Sequence, residues 1–434
     1  MMQTPEEFLE ANGFASQQLD REALVSAFLK EMDAGLKGEP SSLAMIPTYV
    51  SPSGELRRDT PVAVLDAGGT NLRAATASFP SDGSGVKIEN LEKGTMPGAT
   101  SRVYPDDFYG VFARQLERTR PYVKDDAVGF CFSYACEVAP DGDAKLLHWT
   151  KQIQAPEIVG QWVGAELKKR LSYSPSKMLV LNDTVTTLLA GKANEKPGER
   201  YSAYIGFILG TGTNVAYVQK TAGIAKLPKG DYPPEMIINA ESGGFSRIAQ
   251  SRFDAAMDAK SLDKGSQVFE KMIAGAYLGP IGLEVLKAAA KAGFFSADAS
   301  KQVLALSSLE SMHLDNFCAG FDNGRPNPLD KVFSDPADAA TARRLATPVF
   351  ERAAILTAVH LAAFIVKTGG GDTSAPVCVC IDGSTYYKTR SVSFPQVVKH
   401  ELDLMLGPRN ISFTLAVCPD NAPMVGAAVA VLLK

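Results

Sequence analysis

The first hydrophobic pattern of the chain is that of a helix. Between residues 6 and 36 apolar side chains recur at helical spacing, and Gly-Glu-Pro follows directly. Glycine and proline end helices, so we predict one N-terminal helix that packs on the rest of the protein. From residue 61 the pattern changes to two β-rich runs separated by Gly-Gly-Thr-Asn at residues 68–71. This change predicts a β-hairpin with a glycine-rich turn.

A similar pattern of strand, turn and strand returns at residues 203–220, where the turn is again rich in glycine and threonine. Alignment of the two turns pairs Gly69 with Gly212, Thr70 with Thr213 and Asn71 with Asn214. Two half-similar hairpins predict a duplicated domain.

The segment MLVLND, residues 178–183, has the pattern of a short buried strand that ends in two polar residues. A helix-type sequence, TVTTLLAGKAN, follows it. Asp183 therefore falls at the carboxyl end of a strand, where ligands gather in open α/β sheets. The same aspartate could cap the helix, and the two roles are compatible.

The rest of the chain continues the α/β pattern with a helical stretch at residues 349–367, a strand VCVCID and an apolar closing helix VGAAVAVLLK. The chain has 434 residues, which is too long for one compact core. We therefore predict two α/β domains with a ligand cleft between them.

The charge balance argues against some classes of partner. The chain has 44 Lys+Arg against 48 Asp+Glu, a formal net charge of -4, which argues against nucleic acid. Its six cysteines are scattered, mostly in apolar runs, as free thiols in a reducing cytoplasm would be. The N-terminus is acidic where a signal peptide needs a basic region, and we expect no later segment to be long and apolar enough to span a bilayer. These features predict a cytoplasmic protein without a membrane partner.

The first glycine-rich turn has residues suited to binding phosphate. Glycines let backbone N–H groups approach an anion closely, although for one Gly-Gly pair a tight turn is the simpler explanation. Asp66 precedes the turn, where a carboxylate suits a magnesium ion held through water, and Arg73 offers a fork for phosphate oxygens. The second turn has Leu209 in place of the aspartate, so only the first is equipped for a metal. The chain has no P-loop sequence, and a dinucleotide-binding fold is unsupported.

Several segments together resemble the hexokinase family. LDAGGTNLR is similar to its phosphate motif, FCFSYACEVAPDGDAKLLHWTK to its sugar-binding segment, LNDTVTTLLA to its catalytic strand and helix, and LGTGTNVAYV to its second phosphate turn. AMIPTYVSPSGE, INAESGGF, EKMIAGAYLG and IDGSTYY extend the resemblance over nearly the whole chain, in the family's order. A single glycine-rich turn would be weak evidence, but these motifs together are specific.

The resemblance implies an α/β, two-lobed, actin-like (ribonuclease H-like) fold with a cleft for sugar and ATP between the lobes. It implies that residues 1–60 form an N-terminal helix and linker on the large lobe, 61–184 the small lobe, joined by a C-terminal helix 421–434, and 185–420 the large lobe. The implied reaction transfers the γ-phosphoryl group of Mg-ATP to the 6-hydroxyl of a hexose, with glucose as the first candidate. ATP and Mg²⁺ are the implied cofactors, and a monomer or homodimer is the expected assembly.

The resemblance also assigns roles to individual residues. Asp183 is the expected base, with Lys151 and Arg73 as further catalytic residues. The expected sugar-binding residues are Ser133, Tyr134, Thr150, Lys151, Asn182, Asp183, Asn214, Asn239 and Glu241. The expected ATP-binding residues are Asp66 (through Mg²⁺ and water), Gly68, Gly69, Thr70, Asn71, Gly210, Thr211, Gly212, Thr213 and Gly426. Without the motifs, Lys151 and Glu241 would be interpreted as solvated surface charges.

Three departures from the family's pattern bear on specificity. Pro280 stands where we expect the family's sugar-binding glutamate, which predicts weaker glucose binding or another preferred sugar. Tyr134 and Ala135 replace Phe-Pro, and Val425 offers no charge where the family has a lysine-containing nucleotide turn. These departures leave open a sugar sensor without catalysis. An actin-like ATPase that shares only the duplicated fold would have no use for LLHWTK and LNDT.

Overall fold

The computed structural model describes residues 3–149, 153–196 and 198–433, which form helices and strands throughout. The strands are β1 Ile46–Pro47, β2 Val62–Gly68, β3 Asn71–Ser78, β4 Lys87–Thr95, β5 Val128–Phe132, β6 Ala135–Val138, β7 Ala144–His148, β8 Met178–Leu181, β9 Ala203–Leu209, β10 Thr213–Lys220, β11 Glu235–Asn239, β12 Val377–Asp382 and β13 Phe413–Val417. The α-helices are α1 Pro5–Ala11, α2 Arg21–Lys37, α3 Pro105–Thr119, α4 Val163–Lys168, α5 Asp183–Ala193, α6 Arg252–Asp258, α7 Val268–Ile273, α8 Leu278–Lys291, α9 Ala297–Ala305, α10 Ser311–Ala319, α11 Pro328–Val332, α12 Pro336–Thr368, α13 Ser384–Lys388, α14 Phe394–Leu406 and α15 Ala422–Leu432.

The two large sheets have the same topology. The small-lobe sheet has the order β4-β3-β2-β5-β8, and the large-lobe sheet has the order β11-β10-β9-β12-β13 with the short β1 added at one edge. In each sheet the first three strands form an antiparallel meander and the last two run parallel to the central strand. The predicted duplication and the predicted two-lobed α/β fold are therefore confirmed, and both glycine-rich hairpins occupy the same place in their sheets.

The two lobes exchange one helix each. Helix α5 follows the last strand of the small-lobe sheet but packs on the large-lobe sheet, where a Cβ on Gly206 would lie 2.4 Å from the carbonyl oxygen of Thr184. Helix α15 follows the last strand of the large-lobe sheet but packs on the small-lobe sheet, where a Cβ on Gly129 would lie 2.2 Å from the carbonyl oxygen of Ala427. Glycine is required at both contacts because any side chain would separate helix from strand. The predicted small-lobe limit at residue 184 falls in the first turn of α5.

Helix α12 is the centre of the large-lobe core. It is long and apolar enough to cross a membrane by length and composition, so the expectation that no segment reaches that length was wrong. However, 89% of its most apolar window is buried inside the protein, which makes it a core helix. His360, on α12, lies among the rings of Phe28, Phe207 and Phe269. This aromatic cluster anchors Phe269 directly before the acidic residue Glu270 of α7.

The N-terminal segment is two helices rather than the single one predicted. Helix α1 is capped by the side chain of Thr4 and ends before Gly13, which has a left-handed backbone at φ 70. Helix α2 starts again with Asp20 as its cap. Local capping residues override a continuous apolar periodicity here. Both helices pack on the large-lobe core through residues such as Phe8 and Phe28.

Candidate active site

The two lobes enclose a cavity of about 240 Å³ at the carboxyl ends of their strands, which we call the cleft cavity. The small lobe and the start of α5 supply six residues that sequence reasoning singled out, and the two lobes together supply four that it missed. The lining residues are Asp66, Gly68, Asn71, Arg73, Ser133, Asp183, Thr187, Ile208, Asp382 and Pro423. Strand ends collect these side chains because parallel strands finish at the same sheet edge.

The first glycine-rich turn, residues 68–71, which we call the first phosphate turn after the family's motif, has an acidic and a basic side chain next to it. Asp66 and Arg73 are directly opposite each other on β2 and β3, and their charged groups are 3.9 Å apart. The turn itself is a tight loop in which Gly68 pairs with Asn71 and Gly69 has φ 63, a left-handed conformation that glycine adopts without strain. The arrangement places a carboxylate and a guanidinium at the mouth of a turn with accessible backbone.

Asp183 begins helix α5 but does not cap it. Asn182 is the N-cap, and its side-chain oxygen accepts the N–H of Thr184 at 2.8 Å. The backbone carbonyl of Asp183 accepts the hydroxyls of Thr186 and Thr187. Asp183 lines the cleft cavity, and one oxygen of its carboxylate accepts the hydroxyl of Thr184 at 3.4 Å. The capping role that the sequence allowed for Asp183 therefore belongs to its neighbour.

A buried thiol lies close to two of the three aspartates that line the cleft cavity, Asp66 and Asp183. Cys131 contacts the hydroxyls of Ser133 and Thr186 at 3.8 and 3.7 Å. Burial raises the pKa of the Cys131 thiol, and the negative charges of Asp66 and Asp183 raise it further. Cys131 is therefore neutral and packs in the interior, and the charges close to it are negative.

A chain of amides and carboxylates lies on the large-lobe side of the cleft. The amide nitrogen of Asn214 donates to Asn239 at 2.7 Å, and the amide nitrogen of Asn239 donates to Glu241 at 2.7 Å. Glu241 has a left-handed backbone at φ 52, which is uncommon for a residue with a side chain and is found most often at functional sites. The pKa of Glu241 is raised to about 7, mainly by burial and further by the charges of Asp183 and Glu270, while the hydrogen bond from Asn239 lowers it.

Glu270 is the functional residue that sequence reasoning missed. One oxygen of its carboxylate accepts the N–H of Thr213 at 2.9 Å. A Cβ on Gly212 would lie only 2.5 Å from the same carboxylate, so glycine at that position is required by the approach of Glu270. Burial raises the pKa of Glu270. The signal was present in the EKM of EKMIAGAYLG, which was recognised as a motif without its glutamate being assigned.

Pro280 and Glu270 belong to one motif but lie on different helices, α8 and α7. It lies in the first turn of α8, next to Gly279, whose N–H is bonded to Ser311 of α10. Pro280 is not among the described residues that line either cavity, whereas Glu270 contributes its charge to Glu241. The expectation that Pro280 weakens glucose binding or changes the preferred sugar stays a prediction.

Much of the backbone of the second phosphate turn, the turn between β9 and β10, is already hydrogen-bonded within the protein. The N–H of Gly210 donates to Gly212, and its carbonyl accepts from Gly275 at 2.8 Å. Thr213 was predicted to bind ATP. Its N–H donates to the carboxylate of Glu270, and its hydroxyl donates to the carbonyl of Ile208. The structure thus corrects the assignment of Thr213 and makes Thr211, which lines the neighbouring cavity, the exposed residue of the turn.

A second cavity of about 510 Å³, which we call the outer cavity, opens beside this turn. Its walls come from the segment before α8 and from helices α10, α12 and α13, and they combine apolar groups with the hydroxyls of Ser384 and Thr385. Asp315 holds one wall by accepting the N–H groups of Arg390 and Ser391. The volume and mixed lining suit a nucleoside.

Gly426 does not face a ligand. A Cβ there would lie 1.9 Å from the carbonyl oxygen of Thr186, so Gly426 allows α15 to cross α5 closely. At this end of the chain Pro423, and not the predicted Gly426, lines the cleft cavity. Val425 is buried in the same helix contact.

Tyr134 lies behind the site rather than in it. Its side chain is only 3% exposed, and its hydroxyl donates to the carbonyl of Gly69 at 3.2 Å. Its ring packs against Trp149, which immediately precedes the predicted sugar-binding pair. That pair, Thr150 and Lys151, lies outside the described residues.

Comparison with known proteins agrees with this geometry. Two hexokinase family models match residues 6–193 and 204–433. Hexokinase of Schistosoma mansoni is 28% identical over 438 residues, covering 95% of this chain and 93% of that protein. Hexokinase-2 of Oryza sativa subsp. japonica is 30% identical over 451 residues, covering 93% and 86%. The structure of the Schistosoma mansoni hexokinase complexed with glucose matches with a TM-score of 0.77 at 25% identity over 99% of both chains. With two phosphate turns, an aspartate at the strand end between them and these matches along its length, the chain belongs to the hexokinase family.

Proposed function

We propose that the protein transfers the γ-phosphoryl group of Mg-ATP to the 6-hydroxyl of a hexose, with glucose as the first substrate to test. As a member of its family the chain is an ATP-dependent hexokinase. One observation carries the finer proposal: Asp183 shares the cleft cavity with Asp66 and Arg73 of the first phosphate turn. A base and a phosphate-binding turn in one small cavity are what an alcohol needs to attack a phosphoryl group.

The amide and carboxylate chain supports the sugar side of the proposal. Glu241 and Glu270 offer acceptors for sugar hydroxyls, and Asn239 is held in place by Asn214. The capping geometry of Asn182 commits its side-chain oxygen to the helix and leaves its amide N–H groups as donors. Several buried hydrogen-bonding groups of this kind favour a polyhydroxylated ligand, because each would be left unpaired by an apolar one.

Asp183 is the proposed general base. Its carboxylate would accept the proton of the 6-hydroxyl while that oxygen forms a bond to the γ-phosphorus and the bond from phosphorus to the β,γ-bridging oxygen breaks. The products are hexose 6-phosphate, ADP and a protonated Asp183. Arg73 in the same cavity is placed to offset the charge of the transferring group, and the resemblance gives Lys151 the same task.

The residues of the cleft cavity fit a magnesium ion held mainly by the nucleotide. Among the described residues no three His, Cys, Asp or Glu side chains cluster as a metal site, and Mg²⁺ usually takes one or two carboxylates together with waters and substrate phosphates. Asp66 is the carboxylate at the first phosphate turn, so it would hold the ion through water. When bound, the ion neutralises charge on the phosphates.

ADP formation by the purified protein with Mg-ATP and a panel of hexoses tests the proposal. The panel contains glucose, mannose, fructose, glucosamine and the N-acetyl sugars, and a reaction without sugar measures background hydrolysis. We expect sugar-dependent turnover and little hydrolysis alone. Sugar binding without any ADP formation, with ATP or with another donor, would favour the non-catalytic sensor. Equal ADP formation with and without sugar would favour an ATPase.

The pH dependence of sugar binding is expected to follow Glu241. Burial and the charges of Asp183 and Glu270 raise its pKa to about 7, so the free protein holds this carboxyl protonated below neutral pH. Sugar hydroxyls donate to the ionised form, so we expect affinity to be highest above pH 7 and to fall by up to about tenfold per unit below it. Calorimetric titration of glucose from pH 5.5 to 8.5 measures this.

Two variants decide whether Glu241 is the titrating group. Glu241→Gln should bind glucose weakly at all pH values and without the step near pH 7. Glu270→Gln removes one of the two negative charges that raise the pKa, so the midpoint should move to lower pH. A midpoint that stays near 7 in Glu241→Gln would assign the titration to another residue.

A further inference from the structure

Each phosphate turn has one carbonyl group that accepts a hydrogen bond from a side-chain hydroxyl outside the turn. In the first turn the hydroxyl of Tyr134 donates to the carbonyl of Gly69 at 3.2 Å. In the second turn the hydroxyl of Thr385 donates to the carbonyl of Gly210 at 2.8 Å. Tyr134 follows β5 in the small lobe, and Thr385 belongs to α13 in the large lobe. The two bonds therefore serve the same kind of turn from opposite sides of the cleft.

The hydroxyl of Tyr134 is held by its own packing. The ring is buried and lies edge-to-face on Trp149 and tilted on Phe132, with centroid distances of 4.8 Å in both pairs. A ring fixed on both sides keeps its hydroxyl in one direction. The carbonyl of Gly69 therefore meets a rigid donor and not a mobile one.

The hydroxyl of Thr385 is equally confined. A Cβ on Gly275 would lie 2.3 Å from it, so the hydroxyl occupies the space that a side chain at that glycine would fill. The N–H of Gly275 donates to the same carbonyl of Gly210, at 2.8 Å. The hydroxyl of Thr389 in turn donates to the carbonyl of Thr385 at 2.7 Å, which helps to hold the backbone of Thr385 in place.

These bonds fix the direction of the next backbone N–H group in each turn. The peptide unit is planar, and in the trans form its C=O and N–H point in opposite directions. The described residues contain no cis peptide bonds, so holding the carbonyl of Gly69 sets the direction of the Thr70 N–H, and holding that of Gly210 sets the direction of the Thr211 N–H. Glycine before each peptide would otherwise let it rotate at little cost.

We propose that Tyr134 and Thr385 are positioning residues that orient the Thr70 and Thr211 N–H groups for the polyphosphate of Mg-ATP. Neither residue donates to the transferring group. The proposal rests on the proposed function in taking a nucleotide as the ligand, but it concerns binding and can be tested without turnover. It also gives Tyr134, one of the departures from the family's sequence pattern, a specific task.

Thr385→Val and Tyr134→Phe test the proposal because each removes a hydroxyl and keeps nearly the same volume. We expect the dissociation constant of Mg-ADP, measured by calorimetry without sugar, to rise about 3- to 10-fold in each variant, the range for losing one hydrogen bond. The KM for Mg-ATP should rise by the same factor, while kcat changes less and the dissociation constant of glucose stays at its wild-type value. In Tyr134→Phe, which is remote from the outer cavity lining, the dissociation constant of adenosine should also stay at its wild-type value. Thr385→Ser keeps the hydroxyl and should restore Mg-ADP affinity.

Two matched controls remove buried hydroxyls elsewhere. Thr357→Val removes a hydroxyl that bonds the carbonyl of Ala353 within α12, and Tyr217→Phe removes one that bonds Gln219 on β10. Both should leave Mg-ADP affinity unchanged. The proposal is overturned if folded Thr385→Val and Tyr134→Phe bind Mg-ADP as the wild type does, if glucose affinity falls by the same factor in either variant, if adenosine affinity does so in Tyr134→Phe, or if Thr385→Ser is as weak as Thr385→Val. If the wild-type protein shows no sugar-dependent turnover, the kinase reaction is refuted. The positioning proposal is still decided by the Mg-ADP titration, which does not depend on turnover.

Discussion

The Asp183→Asn variant is expected to bind glucose and Mg-ATP but to form ADP about 10²- to 10⁴-fold more slowly than the wild type, the range for losing a general base. The side chain keeps its size and still faces the cleft cavity, but an amide cannot take the proton of the 6-hydroxyl. Steady-state kinetics should show the loss in kcat, with KM for both substrates within a few fold. Such a split separates chemistry from binding.

The Asp183→Asn variant can also be tested through the pKa of its neighbour Glu241. The charge of Asp183 raises the pKa of Glu241, so Asp183→Asn should move the midpoint of sugar binding below that of the wild type. This shift checks that the two carboxylates share one site even if turnover is too slow to measure.

The control for Asp183→Asn must allow for its position in a helix. A carboxylate in the first turn of a helix stabilises it by about 0.3–1 kcal/mol through the helix dipole. Asp298 is a first-turn carboxylate of α9, far along the chain and not among the residues lining either cavity. Asp298→Asn should therefore leave kcat unchanged. If Asp183→Asn keeps kcat within threefold of the wild type, another group is the base.

The parts of the site that the sequence revealed depend on local signals. Both hairpins could be predicted because glycines mark a tight turn between strands, and Asp183 because a buried strand ends at it. These features need only neighbours in the sequence. The duplicated sheet topology then follows from repeating one such unit.

The parts that the sequence did not reveal depend on contacts between distant segments. Thr213 aligns with Thr70, but only Thr213 has Glu270 beside it. The N–H of Thr213 donates to this carboxylate, which lies far along the chain, and so it does not face a ligand. Gly426 was interpreted as a ligand contact, whereas it serves a helix crossing that exists only because the lobes exchange helices. Glu270 could not be assigned from its motif for the same reason, because spacing within a motif does not say which side chains approach Thr213 and Glu241.

The duplication also shows how the half of the molecule that carries the proposed base differs from the other half. Helices α5 and α15 follow the last strand of their sheets, so they are equivalent in the two repeats. Asn182 and Asn421 are their N-cap residues, and the residue after each is Asp183 in one repeat and Ala422 in the other. The two phosphate turns differ in the same way, with Asp66 in the first and Leu209 in the second. The large-lobe repeat therefore lacks a carboxylate at both of these matched positions, although Asp382, Glu241 and Glu270 bring carboxylates to its side of the cleft.

The buried ion pair of Asp254 and Arg352 predicts the largest loss of stability by a single substitution away from the site. It joins α6 to the central helix α12, and the two side chains are 1% and 3% exposed. The carboxylate also accepts the N–H and hydroxyl of Ser251, while the guanidinium stacks on Phe14 at 3.9 Å. Asp254→Ala leaves Arg352 as a buried charge without its partner, which costs about 3–5 kcal/mol in the free energy of unfolding.

Chemical denaturation of Asp254→Ala measures this loss, and Asp403→Ala is its matched control. Asp403 pairs with Lys399 on the surface of α14 with half of its side chain exposed, so its removal should change stability by less than about 0.5 kcal/mol. Burial by itself raises the pKa of Asp254, but the charge and hydrogen bonds of Arg352 and the bonds from Ser251 outweigh it and hold the pKa below 3.8. A carboxyl with a lowered pKa contributes stability above its unfolded value that is lost as the pH falls through its folded value. The difference between the wild type and Asp254→Ala should therefore be constant at neutral pH and shrink only in strong acid; equal stability of the two alanine variants at pH 7 would show that the pair contributes no more than a surface one.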